Sequence, residues 1–232
     1  MFDQQLPTSV TIVEVGPRDG LQNEPEQIAT DVKLAFIEKL ADAGLQHIEA
    51  TSFVSPKAIP QLADAAEVAA RLTPRENLTY SALVPNPKGL ERALDAGIER
   101  IAVFTAASDT FTKKNINMTV AESFDAFEPV VERAIAAGVS VRGYVSTAFV
   151  CPYEGEIDKR RVHEVAQRLL ALGADEVAIS DTIGAAVPND ILKTVGYLLE
   201  SVAVEKIALH LHDTYGTALA NVYAGLQLGI TT

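Results

Sequence analysis

The feature that most constrains this chain is a repeated piece of punctuation. An amphipathic stretch ends in a small or apolar residue plus glycine, and a short apolar run follows. Ala43-Gly44 precedes His47-Ile48-Glu49-Ala50, Ala96-Gly97 precedes Ile101-Ala102-Val103-Phe104, and Ala137-Gly138 precedes Val139-Ser140-Val141. Leu172-Gly173 precedes Val177-Ala178-Ile179, and Leu228-Gly229 precedes Ile230. Glycine suits a helix C-cap because the cap needs a positive φ. The apolar runs are mostly continuous rather than alternating, as expected of parallel strands buried on both faces. The pattern predicts strands near 10–15, 47–51, 78–84, 100–105, 140–147, 176–181 and 206–212, and helices near 31–43, 58–72, 87–96, 119–137, 158–172, 188–201 and 216–228. In the first helix the period places Val32, Ala35, Phe36 and Leu40 on one face, with Asp31, Lys33 and Lys39 away from it.

Strand–helix alternation throughout implies a parallel sheet with helical crossovers. No Pro/Ser-rich linker or charge block interrupts it, so residues 1–232 read as one domain. Seven strand–helix units are present, and Ile230-Thr231-Thr232 resembles the start of an eighth strand. A closed (β/α)₈ barrel needs eight strands and typically ~250 residues. The rival, a doubly wound open sheet, usually carries a glycine-rich phosphate turn after its first strand. Here the first strand runs into Gly16-Pro17-Arg18-Asp19-Gly20, which is not that pattern. The expected fold is a TIM barrel, truncated before its eighth strand–helix unit.

Charge narrows the function classes. A net charge of −12 repels phosphate backbones and anionic membrane surfaces, which argues against a nucleic-acid or membrane partner. It leaves small anionic substrates open, because one buried arginine can outweigh the global field locally. Cys151 is the sole cysteine, so an intramolecular disulfide is impossible and a reducing compartment is favoured. No leader peptide or membrane-spanning stretch is expected, which points to the cytoplasm.

In a TIM barrel, chemistry sits at the C-terminal ends of the strands. Three strand ends carry charges that fit poorly with simple packing. The seventh reads His210-Leu211-His212-Asp213. Residues two apart on a strand share a face, so both imidazoles point one way and Leu211 points toward the helices. Alone, the pair reads equally as two satisfied histidines or as half of a divalent-metal site. Asp19, from the first strand end, would complete a two-histidine, one-carboxylate set with open positions. Arg18 beside it reads either as half of a surface ion pair or as a cation placed to stabilise an oxyanion. Glu49 lies among apolar strand residues, where a carboxylate is costly unless paired. It is expected to form a salt bridge to Arg18 and to join a proton-transfer network. Gln22 and Asp181 are further candidates for substrate contact, and Asp181 reads equally as a cap on the next turn. No neighbouring feature lowers the pKa of Cys151, which is read as an inert, partly buried thiol.

The run Val15-Gly16-Pro17-Arg18-Asp19-Gly20-Leu21-Gln22-Asn23-Glu24 closely resembles the opening of 3-hydroxy-3-methylglutaryl-CoA lyases. Further resemblances are Glu49-Ala50-Thr51-Ser52-Phe53-Val54-Ser55-Pro56, Cys151-Pro152-Tyr153-Glu154-Gly155 and His210-Leu211-His212-Asp213-Thr214-Tyr215-Gly216, in family order. The resemblance implies a Mg²⁺ or Mn²⁺ ion on Asp19, His210 and His212. It also implies an acyl-CoA substrate bound with help from Arg18, Gln22 and Asp181. Arg18 would stabilise the enolate, with Glu49 supporting it and His210 joining proton transfer. The implied reaction cleaves 3-hydroxy-3-methylglutaryl-CoA to acetyl-CoA and acetoacetate. The family's cysteine-bearing loop after strand eight, and the asparagine that completes its metal site, would lie beyond Thr232. Cys151 matches a different family position. Alternatives within the superfamily are a lyase for another 3-hydroxyacyl-CoA and a Claisen-type condensing synthase; a non-catalytic scaffold that retains the motif is the alternative outside it. A homodimer is the expected assembly.

Overall fold

The structure is a computed structural model, described from Leu6 to Thr232. The strands and helices in chain order are β1 (Val13–Glu14), α1 (Thr30–Asp42), β2 (His47–Ser52), α2 (Ala65–Ala70), β3 (Thr79–Leu83), α3 (Pro87–Asp95), β4 (Arg100–Ala106), α4 (Asp109–Ile116) and α5 (Val120–Ala136). There follow β5 (Ser140–Ser146), β6 (Val150–Cys151), β7 (Gly155–Glu156), α6 (Lys159–Leu172), β8 (Glu176–Asp181), α7 (Pro188–Leu198), β9 (Ile207–Leu211) and α8 (Ala218–Gln227). The chain forms two compact units. An early unit comprises Ile12–Val103 and Pro129–Val141; a late unit comprises the described residues from Leu6 to Thr11 with Phe104–Glu128 and Arg142–Thr232.

In the early unit the strand order is β1-β2-β3-β4, with each pairing parallel. Ile37, Ile48, Ala50 and Val68 form its buried cluster, with Leu34, Leu40, Leu45 and Leu78 packed around it. The face of α1 differs from the expected one. Lys33 and Ile37 are buried, while Val32 is 58% exposed and Ala35 is also exposed. The helix is rotated because Lys33 finds an acidic partner inside, as described below. The helix expected over 58–72 is shorter: a single 3₁₀ turn at Pro60–Leu62 precedes α2. Pro60 holds Ile59 out of the helical region, at φ −133° and ψ 86°.

In the late unit the order is β5-β8-β9, again parallel. Two glycines set the spacing of helix on strand. A Cβ at Gly143 in β5 would lie 2.9 Å from Leu169 Cδ1 of α6. One at Gly225 in α8 would lie 2.3 Å from Leu209 Cδ1 of β9. Thr231 O accepts from Thr11 N (2.7 Å) and Thr232 O accepts from Leu209 N (3.0 Å), so the segment expected to start a further strand is hydrogen-bonded beside β9 without forming a regular strand. Two elements were not anticipated. Helix α4 starts at Ser108, whose side chain accepts from Phe111 N, and ends at Asn117 in the left-handed region. The short antiparallel hairpin β6–β7 carries Cys151. Parallel strands followed by helices, unit after unit, are the architecture of a TIM barrel.

Candidate active site

The early unit supplies the charged part. After β1 the backbone makes one wide helical turn over Gly16–Gly20, in which Asp19 N donates to Val15 O (2.7 Å). The N–H of Gly16 donates to Glu14 Oε1 at 2.6 Å, close enough that a Cβ there would displace that carboxylate. The turn carries Arg18 inward, leaving it 7% exposed. Its Nε donates to Glu49 Oε1, and its Nη1 donates to Asp19 Oδ1 at 2.8 Å. Glu49, on β2, is 1% exposed. A buried carboxylate and guanidinium tolerate such a place only together; removing one leaves the other charged and desolvated, at about 3–5 kcal/mol. The expected Arg18–Glu49 bridge is therefore present, and Asp19 shares the same guanidinium. Gln22 is half-buried, and its buried Oε1 has no hydrogen-bond partner.

The late unit supplies the imidazoles. His210 lies on β9, and His212 falls just past the strand end at Leu211. Their Nε2 atoms face one another at 3.0 Å. His212 Nδ1 lies 2.7 Å from Thr182 O. A carbonyl only accepts, so Nδ1 carries a proton, which leaves Nε2 as the nitrogen the neutral ring offers to a metal. A carbonyl behind a ring nitrogen is the usual support of a metal-binding histidine. His210 is packed edge-on against Tyr144, with ring centroids 5.6 Å apart. Two neutral imidazoles with converging nitrogens suit one divalent cation.

Asp181, at the end of β8, is 1% exposed. Its oxygens accept from Ala185 N (3.1 Å) and Ala186 N (3.0 Å), which is the capping arrangement. Burial pushes its carboxyl up against the lowering effect of those donors. The capped turn holds Thr182, the carbonyl behind His212. It also holds Gly184 (φ +68°), where a Cβ would fall 2.7 Å from Thr214 Oγ1 and 2.9 Å from His212 O. Thr182, Gly184 and Tyr144 were missed as site residues. Gly184 had a signal, because a glycine following Asp-Thr-Ile after a strand marks a turn that needs positive φ.

Cys151 is buried; its thiol donates to Ser108 Oγ (3.1 Å) and accepts from Tyr153 N (3.4 Å), as befits an inert group. Glu154 beside it accepts from Ser108 Oγ (2.6 Å), Thr110 N (2.9 Å) and Arg161 Nη1 (2.8 Å). Burial raises its pKa, but these donors outweigh burial and bring it down to about 2.

The profile of the HMGL-like family matches residues 9–232. The chain belongs to the HMGL-like family. It is 48% identical over 226 residues to the mitochondrial hydroxymethylglutaryl-CoA lyase of Rattus norvegicus, covering 97% of this chain and 70% of the rat protein. It is 47% identical over 225 residues to a Pseudomonas aeruginosa 3-hydroxy-3-isohexenylglutaryl-CoA/hydroxymethylglutaryl-CoA lyase, covering 97% and 75%. Among solved structures, an HMG-CoA lyase from Acinetobacter baumannii, in complex with coenzyme A and 3-methylmalate, superposes with a TM-score of 0.92 at 38% identity, covering 96% and 73%.

Proposed function

We propose that this chain is a carbon–carbon lyase that cleaves 3-hydroxy-3-methylglutaryl-CoA to acetyl-CoA and acetoacetate. The observation that carries the reading is the buried Arg18, held by Glu49 and Asp19, in a chain 48% identical to a lyase of that name. We treat residues 1–232 as one catalytic domain, since a single family profile runs through both units.

Asp19, His210 and His212, all half-buried, would hold a divalent metal, Mg²⁺ or Mn²⁺. When bound, such an ion supplies Lewis acidity toward the substrate's hydroxyl and carbonyl oxygens. The chain's own residues do the rest. The tertiary hydroxyl loses its proton, and the carbon–carbon bond to the thioester-bearing carbon breaks. The hydroxyl-bearing carbon becomes the ketone of acetoacetate. The bonding pair passes to the thioester as an enolate, which takes a proton to become acetyl-CoA. Arg18 faces that enolate oxygen with a fixed positive charge, oriented in advance by Glu49. Glu49 also joins the proton network around Arg18, and His210 takes part in proton transfer. Gln22 contributes to substrate binding. Asp181 contributes to substrate binding through the turn it caps.

A second reading has a specific observation behind it. The Pseudomonas relative is named for an isohexenyl as well as a methyl substrate. A lyase for a bulkier 3-hydroxyacyl-CoA would use the same groups. The deciding experiment is release of acetyl-CoA, the product common to both substrates, from 3-hydroxy-3-methylglutaryl-CoA and from its isohexenyl analogue with Mg²⁺ or Mn²⁺. Preference for the methyl substrate supports the first reading, and preference for the isohexenyl substrate supports the second. Failure on both would remove the lyase assignment.

We place the enzyme in the cytoplasm, as a homodimer without nucleic-acid or membrane partners. The net charge of −12 supports this, and no described helix is long and apolar enough to cross a membrane. The exposed Leu219, Val222 and Tyr223 on α8 give pairing an apolar surface, which sedimentation of the chain would read.

A further inference from the structure

Lys33 breaks the pattern of its helix. It is 4% exposed, on the face of α1 that also carries Ile37. An apolar residue would serve packing there, whereas a buried ammonium is costly unless fully paired. Its Nζ donates to Asp64 Oδ1 (2.6 Å) and to the backbone carbonyl of Gln61 (2.5 Å). Asp64 Oδ2 in turn accepts from Thr30 Oγ1 (2.8 Å).

These partners belong to the loop after β2, and that loop is tied to the loop after β1. Gln61 Nε2 donates to Glu24 O (3.0 Å), and Gln27 Nε2 donates to Pro60 O (3.2 Å). Beyond Phe53, whose N–H donates to Leu83 O (2.8 Å), the described backbone bonds of the β2 loop are local, from Ala58 and Ile59 to Ser55 O and from Leu62 to Ile59 O. The ties between this loop and the β1 loop with α1 run through the side chains of Lys33, Thr30 and the two glutamines. The β1 loop begins with Gln22, four residues beyond Arg18, and the β2 loop follows the strand that carries Glu49.

We propose that Lys33 is a positioning residue: a buried clamp that makes the loops after β1 and β2 one rigid body and so fixes Gln22 beside Arg18. This rests on the lyase reading for its catalytic consequence, but not for its structural one. Lys33 touches neither substrate nor metal. Its effect is on orientation, where small displacements carry large penalties.

The test compares the full chain with Lys33→Met, Lys33→Arg and the double variant Lys33→Met/Asp64→Leu. Hydrogen exchange is followed over residues 21–29 and 54–62, together with steady-state cleavage and Mn²⁺ affinity. The clamp predicts that Lys33→Met speeds exchange in both segments together. It also lowers kcat/KM by about 10- to 100-fold while Mn²⁺ affinity stays within about threefold. Lys33→Arg restores part of both. In the double variant the stranded charge is gone and thermal stability returns, yet exchange stays fast and kcat/KM stays low, because the tie to Gln61 O is still missing. Full recovery of kcat/KM in the double variant would show that Lys33 serves only to neutralise Asp64, and would overturn the proposal. So would faster exchange confined to one loop, or to neither. Were the unmodified chain inactive on the thioester, the lyase reading would fall while the exchange data still decided the clamp.

Discussion

The two functional strand ends are built from different materials. At the end of β1, position is fixed by charge: Arg18 is buried against Glu49 and Asp19. At the end of β9, position is fixed by neutral dipoles: the Thr182 carbonyl holds His212, the Tyr144 ring packs against His210, and the Asp181-capped turn abuts His212 O. The first end is prepared for the charge that develops in the reaction. The second is prepared for a cation that is already charged, so its imidazoles must stay neutral. The difference teaches that the two ends should fail separately, one in turnover and the other in metal affinity.

The largest effect should come from the charged end. Arg18→Gln should lower kcat by about 10²- to 10³-fold, the cost of losing one positioned oxyanion donor. Acetoacetate release measures it. Glu49→Gln should follow in the same direction, with a stability cost of about 3 kcal/mol from stranding Arg18, read by denaturant unfolding. At the histidine end, Gly184→Ala should weaken Mn²⁺ binding by about 10- to 100-fold, because the added methyl displaces the turn that orients His212. Titration calorimetry with Mn²⁺ reads that effect, and kcat at saturating metal should fall much less.

Much of this was legible in the sequence because the fold is periodic and its chemistry sits where the period breaks. Glu49 and His210 announce themselves as polar residues in apolar runs and Arg18 by its place just past a strand end, and a strand's period of two already pairs His210 with His212. What was not legible depended on partners far away in sequence. Lys33 reads as a solvated residue from the helical period alone, since nothing nearby reveals that Asp64 waits 31 residues on. Asp181 had two readings because a carboxylate at a strand end serves a ligand or a turn equally well, and only the two backbone donors separate them. Helix α4 was missed although Ser108 and Asn117 are both good caps, because its apolar period is short. Pro60 should have shortened the second helix, given its hold on Ile59.

The smallest expected effect concerns Glu154, which shares a family-like motif with Cys151 but holds α4 and α6 together rather than touching the chemistry. Its carboxyl is depressed to about 2, so it contributes stability above the usual glutamate pKa and loses that contribution as pH falls from about 4.5 toward 2. Glu154→Gln should cost about 1 kcal/mol at neutral pH and flatten the unfolding midpoint's dependence on pH across that window, with kcat unchanged. Thermal melts between those pH values check it.

The most direct test of the division of labour is Mn²⁺ binding and carbon–carbon cleavage of the acyl-CoA substrate measured side by side on the unmodified chain, Arg18→Gln and His212→Ala. The account predicts that Arg18→Gln binds Mn²⁺ nearly as the unmodified chain does yet scarcely turns over, while His212→Ala loses both. An Arg18→Gln protein that loses Mn²⁺ as fully as His212→Ala, or a His212→Ala protein that still releases acetoacetate at the original rate, would contradict it.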